Sequence, residues 1–232
     1  MTLGNVLYMP GTINTHLQDL FLEKFFSLPQ SKDFYLTGGT ALSRFYFYHR
    51  ESVDLDFFTN NHDADFSLVN SQIIDISQKL NLKINEQVLG ETYLQYIFEN
   101  NDGINLKVDF LRDNLIHFGE IKLFGGTRVD SLENIAVNKI MAIIGRTDAK
   151  DFIDLYFLIN QSGFNLESLI SLTKEKKLGY SDFYFANALS LIENVQTYPV
   201  MIVPLNKDEL KKYFLNLSKE LFLKIKPVPS SV

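Results

Sequence analysis

Residues 36–58 read LTGGTALSRFYFYHRESVDLDFF. Gly38-Gly39-Thr40 stands between an apolar run, "DFYLTG", and a stretch of helical pattern, "TALSRFYFYH", as a tight turn joining a strand to a helix does. Asp54 and Asp56 then occupy i and i+2 in a second apolar run, "VDLDFF". In a strand these positions share a face, so both carboxylates project to one side and Val53, Leu55 and Phe57 to the other. Two like charges held together repel and raise each other's pKa; a shared divalent cation with hard oxygen ligands, typically Mg2+, removes the conflict. A strand whose polar face simply meets solvent shows the same alternation, so the pair needs corroboration.

Two features corroborate it. In "INLKVDF", 104–110, a third acid, Asp109, sits in a later apolar strand, and if that strand neighbours the first the three carboxylates form a cluster. Such clusters hold two metals in phosphoryl-transfer enzymes. Upstream, the backbone N–H groups of Gly38, Gly39 and Thr40 at a helix N-terminus, with the Thr40 hydroxyl, can cradle phosphate without a cationic side chain. A bare GGT is also an ordinary turn; the conjunction is the more specific signal.

Outward from this stretch the pattern changes near residue 128. Before it, "NLKINEQVLG", "TYLQYIFEN" and "INLKVDFL" add β-rich runs separated by turn signals such as "NNDG", with one helical pattern, "FSLVNSQIIDISQKL", among them. After it the patterning is helical: "VDSLENIAVNKIMAIIG", opened by Asp130 and Glu133 as a capping-box-like pair, "TDAKDFIDLYFLIN", "NLESLISLTKEKKLG", "SDFYFANALSLIENV" and "NKDELKKYFLNLSKELFLKI". The expectation is an α+β domain with a mixed sheet over 1–128 and a helical bundle over 129–232, ending in a disordered "KPVPSSV" tail. Phe45, Tyr46, Phe47 and Tyr48 cover every face of their helix, as core aromatics do. The run Lys174-Glu175-Lys176-Lys177 reads as a solvated face.

Composition removes several chemistries. Cys is absent, which excludes disulfides, zinc-thiolate sites and a cysteine nucleophile. The four His, at 16, 49, 62 and 117, lack zinc spacing, and no P-loop, GxSxG elbow or GxGxxG fingerprint occurs. A net charge of −6 argues against a coat for duplex DNA. Residues 161–232 carry nine basic against seven acidic side chains, whereas 1–160 carry thirteen against twenty-one, so the acid concentrates where the aspartate motif lies. The N-terminus lacks a basic segment followed by an apolar one, and no run approaches a membrane span, which makes a cytoplasmic protein the expectation.

The order strand, GG(S/T), helix, DxD strand, later strand with a third acid resembles the DNA polymerase β-type nucleotidyltransferase superfamily. "GGTALSRFYFYHRESVDLDFF" together with "ENIAVNKIMAIIGRTDAKDFIDLYFLI" resembles more specifically the AbiEii/AbiGii-type toxins of toxin–antitoxin and phage-abortive-infection systems. The matching motifs run from about Gly38 to Ile159. In the second block Lys139 and Arg146 lie seven apart on a predicted helix, on nearly one face, and Lys150, Asp151 and Asp154 follow on the next. Two cations on one face suit a triphosphate; an interhelical salt-bridge network is the other reading. Arg50 and Ser52 lead into the DxD strand, where they orient the carboxylates, contact nucleotide or serve structure.

The resemblance implies transfer of a nucleoside monophosphate from an NTP to an acceptor with release of pyrophosphate. Asp54, Asp56 and Asp109 become Mg2+ (or Mn2+) ligands and, with Lys139 and Asp151, the catalytic set; Gly38, Gly39, Thr40, Lys139, Arg146 and Lys150 become the nucleotide-binding set. It further implies a tRNA 3′ end as leading acceptor and a cognate antitoxin as partner. A protein side chain or an aminoglycoside-like acceptor, and a non-catalytic nucleotide-binding module on the same fold, are the alternatives. A DxD motif also serves glycosyltransferases, but the GGT-to-DxD spacing has no role in them.

Overall fold

The structure is a computed structural model that describes residues 13–225. The segment read for a targeting signal up to residue 12 and the "KPVPSSV" tail lie outside the described residues. The chain forms two compact units: one takes the chain up to Phe34 and Val53–Arg112, the other Tyr35–Ser52 and the chain from Asp113 onward. The fold class is α+β, as the alternation of β-rich and helical patterns predicts. Among the described residues no helix is long and apolar enough to cross a membrane.

In the first unit, helix α1 (Ile13–Phe26) precedes strand β2 (Leu55–Thr59), helix α3 (Phe66–Lys79) and strands β3 (Lys83–Leu89), β4 (Tyr93–Glu99) and β5 (Asn105–Arg112). The strand order is β3-β4-β5-β2, with β2 parallel to β5 and the other pairs antiparallel, so the sheet is mixed. Helix α3 begins at Asp65, whose carboxylate accepts from the Leu68 N–H. The core is aromatic. Phe57 and Phe110 are register partners whose rings stack at 4.8 Å, and Phe25 packs on both. Each such fully buried ring contributes about 2 kcal/mol of apolar burial, and a slip of one residue would turn the rings to solvent and the acids inward. The aromatic pair therefore sets the register of its polar neighbours.

The second unit contains strand β1 (Tyr35–Thr37), the short helix α2 (Gly38–Leu42), strands β6 (Lys122–Phe124) and β7 (Thr127–Val129), and helices α4 (Leu132–Gly145), α5 (Ala149–Ser162), α6 (Leu166–Lys176), α7 (Asp182–Ser190) and α8 (Lys207–Lys224). β7 pairs parallel with β1 and antiparallel with β6. Helix starts carry polar caps at Ser131, Asp148, Asn165 and Asn206.

Several expectations are corrected. The cap of α4 is Ser131, not Asp130; Asp130 is buried, accepting from the Thr37 hydroxyl at 2.5 Å, His117 Nε2 at 2.8 Å and the Asn134 amide at 3.0 Å. The aromatics Phe45, Tyr46 and Phe47 lie in a π-helical turn, Ser43–Phe47, and are half-buried, while Tyr48 is exposed with left-handed backbone, φ 52°. Core packing belongs instead to Ala41 and Leu42 and to the polar His49 and Arg50 behind them. Lys176 is not solvated: it is buried, donating to the Asn134 Oδ1 at 2.8 Å and reaching Asp113 at 3.3 Å.

Candidate functional site

The acid face belongs to the first unit. Along β2, Leu55, Phe57 and Thr59 are buried and Asp56 and Phe58 are half-buried; along β5, Leu106, Val108 and Phe110 are buried while Lys107 and Asp109 face the other way. The parallel register makes Asp56 and Asp109 direct partners, as the expectation of a shared cluster requires. Asp54 precedes the strand and Val53 is 49% exposed, so the apolar side of this run is Leu55 and Phe57 alone.

Asp109 accepts hydrogen bonds from three neighbours. Its Oδ1 accepts from Gln95 Nε2 at 3.0 Å and from the Tyr93 hydroxyl at 3.3 Å, both on β4, where Gln95 stands directly across the strand pair. Its Oδ2 accepts from Lys107 Nζ at 2.8 Å. Burial lowers the Lys107 ammonium pKa, but the hydrogen bond to Asp109 and the charges of Asp109, Asp54 and Asp56 outweigh it and hold the group above its ordinary value. Burial, then Asp109 and, more weakly, Asp56 push the Tyr93 hydroxyl up. The donor set is hard oxygen and all three charges act on one ammonium, which suits a hard divalent cation. Among the described residues, however, no three His, Cys, Asp or Glu side chains converge closely enough to hold a metal by themselves.

The glycine turn and the second sequence block belong to the other unit. Gly38 takes φ 70°, a left-handed conformation that favours glycine, and opens α2, whose first N–H groups have no intrahelical partner. Gly39 is required by crowding: a Cβ there would run into the Arg50 guanidinium and stand 2.9 Å from Ser52 Oγ. Thr40 is buried.

Arg50 reaches Asp154 with both arms of its fork, Nε and Nη2 each at 2.7 Å. His49 Nε2 lies 2.8 Å from the same carboxylate. The backbone of 49–51 is clamped by residues 200–203, with Glu51 N–H donating to the Val200 carbonyl at 2.8 Å and Ile202 N–H to that of His49 at 3.0 Å. Lys139 Nζ bridges Asp154 at 2.7 Å and Asp151 at 2.9 Å, and Arg146 holds Asp151 through Nε at 2.7 Å and Nη2 at 3.1 Å.

Burial raises the carboxylate pKa values, but Lys139 leads a set of cations that outweighs it and keeps Asp151 and Asp154 well below the usual range. Burial lowers His49, so the neutral ring donates to Asp154; its Nδ1 has no hydrogen-bond partner and the ring packs on Phe157 at 4.6 Å.

Of the second-block residues, Lys139, Arg146, Asp151 and Asp154 come together as the salt-bridge alternative expects. Arg146 lies beyond the helix, in extended backbone after Gly145, rather than on one helical face with Lys139. Lys150 stays outside, 3.5 Å from Asp148. Three participants escape sequence reasoning. Lys107 and Gln95 carry a period-2 signal on strands that the sequence shows. His49 has no such signal, and although Arg50 and Asp154 both stand out in the sequence, their pairing does not, because the contacts span over a hundred residues.

Comparison with known proteins places these motifs. The description "Nucleotidyl transferase AbiEii toxin, Type IV TA system" belongs to a family whose sequence profile matches residues 20–214. Protein aq_aa25 of Aquifex aeolicus, described as uncharacterized, is 33% identical over 212 residues, covering 84% of this chain and 95% of that one. Among solved structures, JHP933 of Helicobacter pylori superposes with a TM-score of 0.63 at 18% identity, covering 93% of this chain and 94% of that one. The nucleotidyltransferase toxin MenT4 (Rv2826c) of Mycobacterium tuberculosis superposes with 0.55 at 14% identity, covering 92% and 84%. These two similarities speak to the fold. With the profile covering most of the chain, from α1 to α8, the protein belongs to the AbiEii family of nucleotidyl transferase toxins of type IV toxin–antitoxin systems.

Proposed function

We propose that the protein moves a nucleoside monophosphate from an NTP to the 3′ end of a tRNA in the cytoplasm, and that a cognate antitoxin restrains it. The observation that carries the assignment of the site is the pairing of Asp56 with Asp109 across β2 and β5, with Asp54 two residues upstream. Asp54, Asp56 and Asp109 are the proposed ligands of Mg2+ or Mn2+; such an ion, when bound, neutralises phosphate charge and lowers the pKa of an oxygen it holds. Asp109, held by Gln95 and Tyr93, is the proposed acceptor of the proton from the acceptor hydroxyl.

Phosphate oxygens are assigned to the N–H groups of Gly38, Gly39 and Thr40 at the start of α2. Arg146, 54% exposed, supplies charge to the leaving pyrophosphate, as does Lys150. Lys139 and Asp151, buried against each other, act by holding Arg146 in place.

The test is incubation of the purified protein with each α-labelled NTP, Mg2+ and total bacterial tRNA, followed by a denaturing gel. Label on tRNA that disappears with Asp56→Ala, in protein whose circular dichroism is unchanged, is the expected result. Label on protein instead would move the acceptor to a side chain. No label with any NTP in protein that binds nucleotide would favour the non-catalytic module.

A further inference from the structure

Asp130 is buried in the second unit and has no part in the assignments above, although it touches the chain on both sides of the glycine turn. Before the turn, its N–H donates to the Leu36 carbonyl at 2.9 Å and its carboxylate accepts from the Thr37 hydroxyl at 2.5 Å. After the turn, the Tyr46 hydroxyl donates to its carbonyl at 2.6 Å. Thr37 is the N-cap of α2, a position where threonine ordinarily turns its oxygen to the first N–H groups of the helix. It makes no such cap bond; its hydroxyl is turned to Asp130 instead. The carboxylate is itself held in place. Oδ1 accepts from the Ser131 N–H and lies beside His117 Nε2, each at 2.8 Å, and the Asn134 amide donates to both oxygens, at 3.2 and 3.0 Å. Lys176 donates to Asn134 Oδ1 at 2.8 Å, which fixes the end of that amide facing Asp130. Thr37, Asp130 and Asn134 are all buried, so water does not compete for these bonds.

We propose that Asp130 is a positioning residue for the nucleotide: it brackets Gly38-Gly39-Thr40 between Thr37 and Tyr46 and so holds the turn in the conformation that takes phosphate. The local chain needs such a bracket. β1 is three residues long and ends at Thr37, and Gly38 follows at once with φ 70°. A glycine has more conformational freedom to lose than any other residue, so an unanchored turn would spread over many arrangements. Backbone N–H groups meet a phosphate oxygen in good geometry only when their directions are set beforehand. The bond from Thr37 to Asp130 sets them from a residue 93 positions away, on the entry to α4. The inference rests on the reading of Gly38, Gly39 and Thr40 as phosphate holders. A turn that served the fold alone would lose stability when the bracket is loosened and would leave nucleotide affinity where it was, which separates the two.

Binding of each of the four NTPs with Mg2+ is measured by isothermal titration calorimetry on the full-length protein, at a temperature where circular dichroism shows every variant folded. Thr37→Val keeps the shape of the side chain and removes the hydroxyl; it should bind the preferred NTP about tenfold more weakly than wild type, the effect of one lost hydrogen bond. Thr37→Ser, which keeps the hydroxyl, should retain wild-type affinity. Asp130→Asn should also weaken binding, and should add little to Thr37→Val in the double variant, because both act through one contact. Ser131→Ala removes the neighbouring cap of α4 and leaves the Thr37 bond alone, so it should melt lower yet bind as wild type does. If Thr37→Val does not fold, Thr37→Ala replaces it. Undiminished affinity in the folded variant without the hydroxyl, a loss of the same size in Thr37→Ser or Ser131→Ala, or additive losses in the double variant overturns the role of Asp130 and leaves the assignment of the turn standing. Wild type that binds no NTP, or Gly38→Val that binds as wild type does, overturns the phosphate-binding turn and the inference with it.

Discussion

The acid face of β2 and β5 and the ionic cluster around Asp154 draw on the same residue types in opposite proportion and opposite surroundings. On the face, three carboxylates share one lysine, and Asp109 and Lys107 keep 15% and 37% of their side chains in contact with solvent. In the cluster, Arg50, Lys139 and Arg146 surround Asp151 and Asp154, both fully buried, and neutral His49 adds a donor. Of the two, the acid face is the wetter and the cluster the drier. A buried charge without its partner costs several kcal/mol, so the cluster is bound to its composition by stability. On a half-exposed acid face water and dissolved cations screen each charge, so single substitutions cost less. The difference separates a buried ionic cluster that stability holds in place from a half-exposed face that it does not.

Stability measurements would break this contrast most directly. Asp154→Asn leaves Arg50 and Lys139 buried without their shared counter-charge and should cost about 3–5 kcal/mol, a large part of a typical folding free energy. Asp56→Asn relieves repulsion on the face and should change stability by less than about 1 kcal/mol. Urea denaturation followed by circular dichroism compares the two; similar losses would mean that the face, too, is a structural cluster.

A smaller effect would sharpen it. Arg146 holds Asp151 yet keeps half its side chain exposed, so Arg146→Gln should raise the KM for NTP by about tenfold with little change in urea midpoint. A lost midpoint with an unchanged KM would return Arg146 wholly to the cluster.

The smallest expected effect concerns pH. Burial holds His49 below its ordinary value of 6.5, so the unfolded chain binds a proton that the folded chain refuses. Stability contributed this way is present above pH 6.5 and lost as pH falls from there toward the folded value, with a slope of at most about 1.4 kcal/mol per pH unit for one proton. His49→Gln, which can still donate to Asp154, should flatten stability between pH 7 and 5. An unchanged slope would show that the ring is not the source.

Much of this arrangement was legible in the sequence, and the reasons are physical. Period-2 alternation marks β2 and β5, and because their apolar positions must pair, the acids beside them must pair too. The short pieces β6 and β7 escape because three residues carry no period, and their glycine turn resembles any loop. The ion pair between Arg50 and Asp154 escapes because long-range charge pairing leaves no local pattern. The aromatic run Phe45–Tyr48 misleads for a related reason: helical spacing assumes an α-helix, and the π-helical turn gives those rings a different set of directions.

Gly39 carries a final consequence for how this motif is tested. A glycine beside an anion-binding helix start is commonly assumed to be small so that phosphate can approach, and lost activity on its substitution is taken as proof of that contact. In this chain the space that a methyl group would need is already filled by Arg50, whose guanidinium is locked to Asp154. Gly39→Ala would pry that lock open from within, and its phenotype would be that of a broken ion pair even if no nucleotide ever came near the turn.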